Sequence, residues 1–245
     1  MKTLVGIRPT GKLHLGHYFS VIKPAIKTGA DVLIAKFHAP FNDPESLIKE
    51  LVFFRVAPEQ IKIQTFDPDL YFKLLALTPI GELNRMTQFK SQKEKTAHLF
   101  VYPVLMAMDV AGYDKVIVGE DQRQHLEFAR TILRKYNKLG NKVKIPEGVY
   151  TGGRVMSLKN PASKMSKSEP DGCLFLTDPA ADKEHKIKKA VTDELGRKNL
   201  EFLYREFVGG IPPKMNEKLK EKLSNEIMLK FSGFGELKGW EVAGE

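Results

Sequence analysis

The chain has 245 residues, 42% of them hydrophobic, enough apolar content for one large domain or for a domain with a small appendage. A net charge of +9 favours an anionic partner such as nucleic acid. The single cysteine, Cys173, excludes an internal disulfide and a cysteine-cluster zinc site, and no apolar run reaches membrane-spanning length, so a cytoplasmic protein with no membrane partner is expected.

The first apolar run, Thr3-Leu4-Val5, leads into Gly6-Ile7-Arg8-Pro9-Thr10-Gly11-Lys12-Leu13-His14-Leu15-Gly16-His17. This reads as strand, tight loop and helix, and Gly6 breaks the opening run before a signal-peptide core forms. The glycines let the backbone turn and approach a ligand closely, while a helix beginning near Gly16 offers free N–H groups and a positive dipole end. His14 and His17 can place two imidazole donors on one phosphate without a lysine's full charge. A capped helix start with two surface histidines would use the same residues.

Helical spacing runs from His17 to Thr28, with Pro24 a kink and Gly29 a stop, and Asp31 to Phe37 reads as a buried strand ending at His38. Asn42-Asp43-Pro44 caps a helix to about Arg55, Gln60 to Gln64 reads as a strand, and Pro68 to Thr78 as a helix. Pro79-Ile80-Gly81 interrupts, and Glu82 to Lys95 continues as a charged segment. The run Ala97 to Ala111 is apolar on most faces and carries Tyr102, Met106 and Asp109 on one of them. A Met or Tyr there is ordinarily core, but a carboxylate in so apolar a helix needs a donor partner or a function. Lys115 to Val118 is a strand followed at once by Gly119-Glu120-Asp121-Gln122 and a helix to about Tyr136. Asp121 at that junction suits ribose hydroxyls, or is simply a helix N-terminal acid. Gly152 to Leu158 reads as a last short strand.

Lys164-Met165-Ser166-Lys167-Ser168 sits between Asn160-Pro161 and Pro170-Asp171-Gly172, which marks a surface loop able to swing cations onto a polyphosphate. Beyond it come a Lys-rich helix from Asp182 to Thr192, an amphipathic one from Leu200 to Val208, a hinge at Gly209 to Pro213, and a Lys/Glu helix from Met215 to Phe231. The last stretch, with Trp240, has no periodicity. Alternating strands and helices predict an α/β fold, a Rossmann-like doubly wound parallel five-stranded sheet with a small C-terminal helical appendage.

The histidine string and the lysine loop, in this order, resemble the two signatures of class I aminoacyl-tRNA synthetases. Three further blocks, Gly81 to Lys90, Tyr102 to Asp109 and Val118 to His125, are similar to the tryptophanyl branch of that family. Tyrosyl enzymes share the fold and both strings but carry a glutamine where this chain has Met106, and Met suits an indole.

The resemblance implies activation of L-tryptophan with ATP and Mg²⁺, the metal held mainly by the ATP phosphates and not by a protein metal site, followed by transfer to tRNA(Trp). His14, His17, Lys164, Lys167 and Ser168 would be catalytic. ATP would meet Arg8, Pro9, Thr10, Gly16 and His17, with Gly119, Glu120 and Asp121 on the ribose. Val155 and Met156 would lie on the adenine, and Lys164, Met165, Ser166, Lys167 and Ser168 over the pyrophosphate, with Lys93 or Lys95 as helpers. Tryptophan would meet Leu4, Val5, Gly6, His38, Tyr102, Met106, Asp109, Val116, Val118 and Gln122, with Asp109 reading the indole N–H.

The expected organisation is a catalytic domain over 1–172, containing a dimerisation segment at about 79–96 of a homodimer, and a helical region over 173–245 that contacts tRNA. That region is shorter than the family's usual anticodon-binding domain, so reduced anticodon reading is expected. Rival readings are a tyrosine enzyme of the same class, a nucleotidyltransferase of the same superfold, and a non-catalytic tRNA-binding paralogue.

Overall fold

The computed structural model describes residues 1–151 and 154–232. They fall into two compact units, one built from residues 1–11 and 20–151 and the other from residues 12–19 and 154–232.

The first unit holds a five-stranded sheet, β1 (Thr3–Ile7), β2 (Asp31–Ile34), β3 (Ile61–Ile63), β4 (Lys115–Gly119) and β5 (Glu147–Thr151), in the order β3-β2-β1-β4-β5. Every pairing is parallel, with Val5 opposite Val32 and Leu4 opposite Val116. The chain winds one way from β1 to β3 and the other way from β4 to β5, so the order reverses between β1 and β4. In such a sheet ligands bind beyond the carboxyl ends of the two strands flanking the reversal. Arg8 follows β1 and Glu120-Asp121 follows β4.

The helix Ala97–Val110 packs on Arg123–Lys138 and on Pro68–Ala76. Between them and the sheet lies a core that includes Leu4, Leu74, Val104, Val116 and Ile132. Thr96 and Asp67 cap the first and last of these helices through side-chain oxygens on the backbone N–H groups of Leu99 and Leu70.

The second unit is mostly helical. Asn216–Lys230 packs against Ala180–Lys188 and Glu194–Phe207, and Tyr18 lies on Phe207 and edge-on to Phe231. Lys220 donates to the carbonyls of Lys188 and Ala190, closing the end of the helix Ala180–Lys188. Arg197 donates to the carbonyls of Pro213 and Lys214, tying down the segment after Gly209 and Gly210, whose φ values of 82° and 70° only glycine adopts readily.

Three expectations need correction. β2 stops at Ile34 and not Phe37: Ala35 makes the last ladder bond, to Ile7, and Lys36–His38 then forms a 3₁₀ turn. The helix predicted over 17–28 is present and stops at left-handed Gly29, its first part wound as a π-type segment, Tyr18–Ile22, that runs into an α segment, Lys23–Thr28. The segment 82–95 is not continuous. It holds two short helices, Ile80–Leu83 and Thr87–Ser91, with Leu83 and Met86 buried and Phe89 packed against the core. The fifth strand is Glu147–Thr151, where Gly148 and Glu147 hide it from a search for apolar runs and pairing with β4 supplies the order. Of the strand predicted over 152–158, Gly152 and Gly153 lie outside the described residues, and Met156 makes an isolated antiparallel bridge to Lys164. The tail with Trp240 also lies outside them.

Candidate active site

In the first unit the ends of β1, β2, β3 and β4 and one face of the helix Ala97–Val110 gather a polar cluster. The side chain of Asp109, one turn from Met106 and two from Tyr102, is 6% exposed. Its donors come from other elements. His38 Nε2 lies 2.9 Å from Oδ2, and Gln64 Nε2 reaches Oδ1 at 2.7 Å and Oδ2 at 2.8 Å. Gln64 Oε1 accepts the Phe37 N–H at 2.7 Å, which fixes the 3₁₀ turn presenting His38. His38 Nδ1 is buried with no hydrogen-bond partner.

The Tyr102 ring stands edge-on to His38 at 4.2 Å and tilted against His125 at 5.3 Å. Burial raises its phenol pKa, Arg8 opposes that shift, and Asp109 and Asp121 add to it. Arg8, Asp109 and Asp121 therefore each lie within electrostatic reach of Tyr102. His125 Nδ1 is 3.1 Å from Gln122 Oε1, an acceptor, so Nδ1 carries the proton. Burial pulls His125 down to about 4, with Asp121 opposing and His38 adding.

Two glycines near the reversal point differ in what a side chain would meet. A Cβ on Gly119 would meet Asp121 Oδ1 at 2.6 Å. On Gly6 it would meet nothing within 4 Å, so open space lies over β1 at that point, as where a ligand approaches a strand. Strand alternation puts Leu4 and Gly6 on one face and Val5 on the other. Leu4 and Val116 belong to the core, with Met106 and Val118 packed against it, and the Val5 side chain does not join them.

In the second unit the histidine string is folded on itself. His14 Nδ1 accepts from Gly16 N–H at 3.0 Å, and His17 Nδ1 accepts from His14 N–H at 3.2 Å. Both rings are thereby held as the tautomer with hydrogen on Nε2, a neutral donor. Burial, with help from Lys167 and then Lys164, pulls His14 down to about 4. Gly16 is required because a Cβ there would lie 2.7 Å from His14 Cε1. His14 also bridges to Phe175, and Leu15 N–H donates to Leu174.

The lysine loop is clipped at both sides. Ser157 N–H bonds to Ser163 and Met165 N–H to Val155, so Met165 is buried while Lys164 is exposed. Ser166 Oγ and Ser168 Oγ are 2.9 Å apart, and Ser157 Oγ is bonded to Glu169 at the far side. Val155 is buried and Met156 half-buried. Both backbone polar groups of Met156 pair with the Asn199 carboxamide, at 3.1 and 3.0 Å.

Sequence reasoning missed Gln64, Asn199 and His125. A glutamine closing a strand among polar neighbours gives no signal of burial, yet Gln64 is 1% exposed. Its one trace is position: it ends a strand at the carboxyl edge of a parallel sheet, where sites occur.

A doubly wound parallel sheet with charged groups clustered beyond its reversal point defines a nucleotide-binding α/β protein. The family described as tRNA synthetases class I (W and Y) matches residues 67–232. The chain is 38% identical over 221 residues to the tryptophan–tRNA ligase of Helicobacter pylori strain J99, covering 78% of this chain and 68% of that protein. Among solved structures it resembles tryptophanyl-tRNA synthetase from Mycoplasma pneumoniae, with a TM-score of 0.80 and 28% identity over 94% of this chain and 86% of the other. It also resembles the Campylobacter jejuni enzyme complexed with ADP and tryptophan, with a TM-score of 0.71, 25% identity and the same coverage. The chain belongs to the class I tRNA synthetase family of the tryptophan and tyrosine enzymes.

Proposed function

We propose that this chain is a tryptophan–tRNA ligase, which joins L-tryptophan to the α-phosphate of ATP, releases pyrophosphate, and passes the tryptophanyl group to the terminal ribose of tRNA(Trp). The observation that carries the choice of amino acid is the buried Asp109 carboxylate on the same helix face as Met106 and Tyr102. An indole N–H can donate but not accept, so a carboxylate with accepting capacity to spare suits it, and the thioether of Met106 suits its flat face. The names of the relatives support the same choice.

In this reading Leu4, Gly6, Met106, Val116 and Val118 line the indole side, with the backbone of Val5 beneath it. His38, Tyr102 and Gln122 orient the amino acid. Arg8, Pro9 and Thr10 engage the phosphates, while Gly119, Glu120 and Asp121 hold the ribose. From the second unit, His14, Gly16 and His17 donate to phosphate oxygens, Val155 and Met156 serve the adenine, and Lys164 to Ser168 take the pyrophosphate. The tryptophan carboxylate is already a nucleophile. The protein's task is alignment and neutralisation of charge that grows on the phosphates. Neutral Nε2–H donors suit that task because they stabilise oxygen charge without releasing a proton.

Among the described residues no group of three or more His, Cys, Asp or Glu is placed to hold a metal ion. Mg²⁺ is taken to enter on the ATP phosphates, where it would add to charge neutralisation. We extend the reading to a homodimer joined through residues 79–96 and to tRNA contact by the basic helices after residue 173.

The test is pyrophosphate exchange with ATP and Mg²⁺, run with tryptophan, with tyrosine and with no amino acid, followed by charging of a total tRNA pool. Exchange with tryptophan alone and subsequent charging is the expected result. Exchange with tyrosine would overturn the choice of amino acid. No exchange with either would favour a non-catalytic paralogue.

A further inference from the structure

We infer that Gln64 is a positioning residue for amino-acid specificity: its buried carboxamide locks the Asp109 carboxylate so that Oδ1 faces the indole N–H. The inference rests on the reading of Asp109 as the indole partner and adds a residue outside the substrate-contacting set.

The geometry is that of a clamp. Gln64 follows β3 directly, and its backbone N–H bonds to Ile34, so the main chain is fixed by the sheet without help from the side chain. The carboxamide, 1% exposed, then makes three contacts. Oε1 accepts from Phe37 N–H at 2.7 Å, and Nε2 spans both Asp109 oxygens at 2.7 and 2.8 Å. The reverse amide orientation is excluded chemically, since it would set oxygen against carboxylate and NH₂ against N–H. A carboxylate on a helix can rotate about its last bond, and a donor that straddles both oxygens removes that freedom. His38 adds a donor to Oδ2 alone, at 2.9 Å. Oδ2 thus receives two protein donors and Oδ1 one, which leaves Oδ1 with the greater unused accepting capacity. Packing gives no other reason for a glutamine here. An apolar side chain of equal length would fill the space but leave the Phe37 N–H and one side of Asp109 unpaired.

The experiment compares binding of tryptophan with binding of an analogue whose indole N–H is replaced by sulfur, using the full-length protein and titration calorimetry. Pyrophosphate exchange supplies the KM for ATP alongside. In the wild type, tryptophan should bind more tightly than the sulfur analogue. In Gln64→Met that preference should fall by about tenfold, the worth of one misaligned charge-assisted hydrogen bond, while analogue affinity and the KM for ATP stay within about threefold. A general loosening of the fold would move both amino acids and ATP together. Gln64→Asn serves where the Met variant fails to fold: the shorter carboxamide keeps a polar group there but cannot reach the Phe37 N–H and both Asp109 oxygens together, and the same loss of preference is expected. A wild type that does not discriminate would overturn the reading of Asp109 itself. A discriminating wild type whose Gln64 variants discriminate equally well would overturn this inference alone.

Discussion

His38 Nε2 lies 2.9 Å from Asp109 Oδ2 with the two side chains 3% and 6% exposed, so the carboxylate in the middle of an apolar helix is held by donors from other elements. Asp109→Ala should therefore act twice. It strands the His38 and Gln64 donors in a buried place, lowering stability by about 1–3 kcal/mol. It also weakens tryptophan binding by about 1–3 kcal/mol while leaving ATP binding nearly unchanged. Denaturant unfolding and calorimetry with each ligand separate the two effects. Equal losses for tryptophan and ATP would make Asp109 purely structural.

Gly6, Gly16 and Gly119 can be set against one another. Alanine at Gly16 places a Cβ 2.7 Å from His14 Cε1, and at Gly119 one 2.6 Å from Asp121 Oδ1, so each must displace the side chain beside it. Gly16→Ala should lower the exchange rate by about 10²-fold, as expected when one aligned donor is lost. Gly119→Ala should raise the KM for ATP more than that for tryptophan. Alanine at Gly6 meets no protein atom within 4 Å, so that variant should keep its melting temperature within a few degrees yet lose affinity for substrate. An active Gly6→Ala protein would mean that nothing lies over β1 there.

The sheet was legible wherever an element announces itself locally. Thr3 to Val5, Asp31 to Ile34 and Lys115 to Val118 are apolar runs that end in turn residues, and the two phosphate strings carry their chemistry in their own letters. β5 was not legible, because its order comes from β4 and not from its own composition. Asp109 was recognisable as anomalous from its setting alone, but its partners were not. Gln64 is 45 residues away and His38 is 71, and only the winding of the sheet brings them together. Asn199 was missed for a different reason: its partner is the Met156 backbone, which leaves no mark in sequence.

Lys167 and Lys164 both lower the affinity of His14 for a proton, which places their positive field on the histidine string within the same unit. Lys167→Ala should slow activation by about 10²-fold or more while weakening ground-state ATP binding far less, because charge on the leaving pyrophosphate grows only during reaction. Single-turnover adenylate formation at saturating ATP measures the first quantity, and equilibrium ATP binding the second. A rate equal to that of the wild type would remove the loop from the mechanism.

Cys173 is fully buried, and burial pushes its thiol up to about 12. A thiol so placed is inert as a nucleophile. In the native protein it should react with an aromatic disulfide reagent only as fast as the second unit opens, and in denaturant at once. Fast native labelling would show that the segment following the lysine loop opens easily.

His14 and His125 are both drawn down from 6.5 to about 4, chiefly by burial. Each is neutral in the fold above that value, whereas in the unfolded chain each takes a proton as pH drops below about 6.5. The unfolded state therefore binds more protons between these limits, and stability is lost as pH falls from 6.5 towards 4, by up to about 3 kcal/mol for each histidine. Below about 4 both states are protonated and these two residues contribute no further slope. Urea unfolding at pH 7.5 and 4.5 measures the loss. His125→Gln, which keeps a donor for Gln122, should shrink the difference between the two pH values by the share of one histidine. The same depression bears on catalysis. Exchange rates between pH 6 and 8 should show no ionisation belonging to His14, because it remains a neutral donor throughout. A His14 ring resonance titrating near 6.5 would overturn both expectations, since it would mean that the ring is solvated and free of the lysine field.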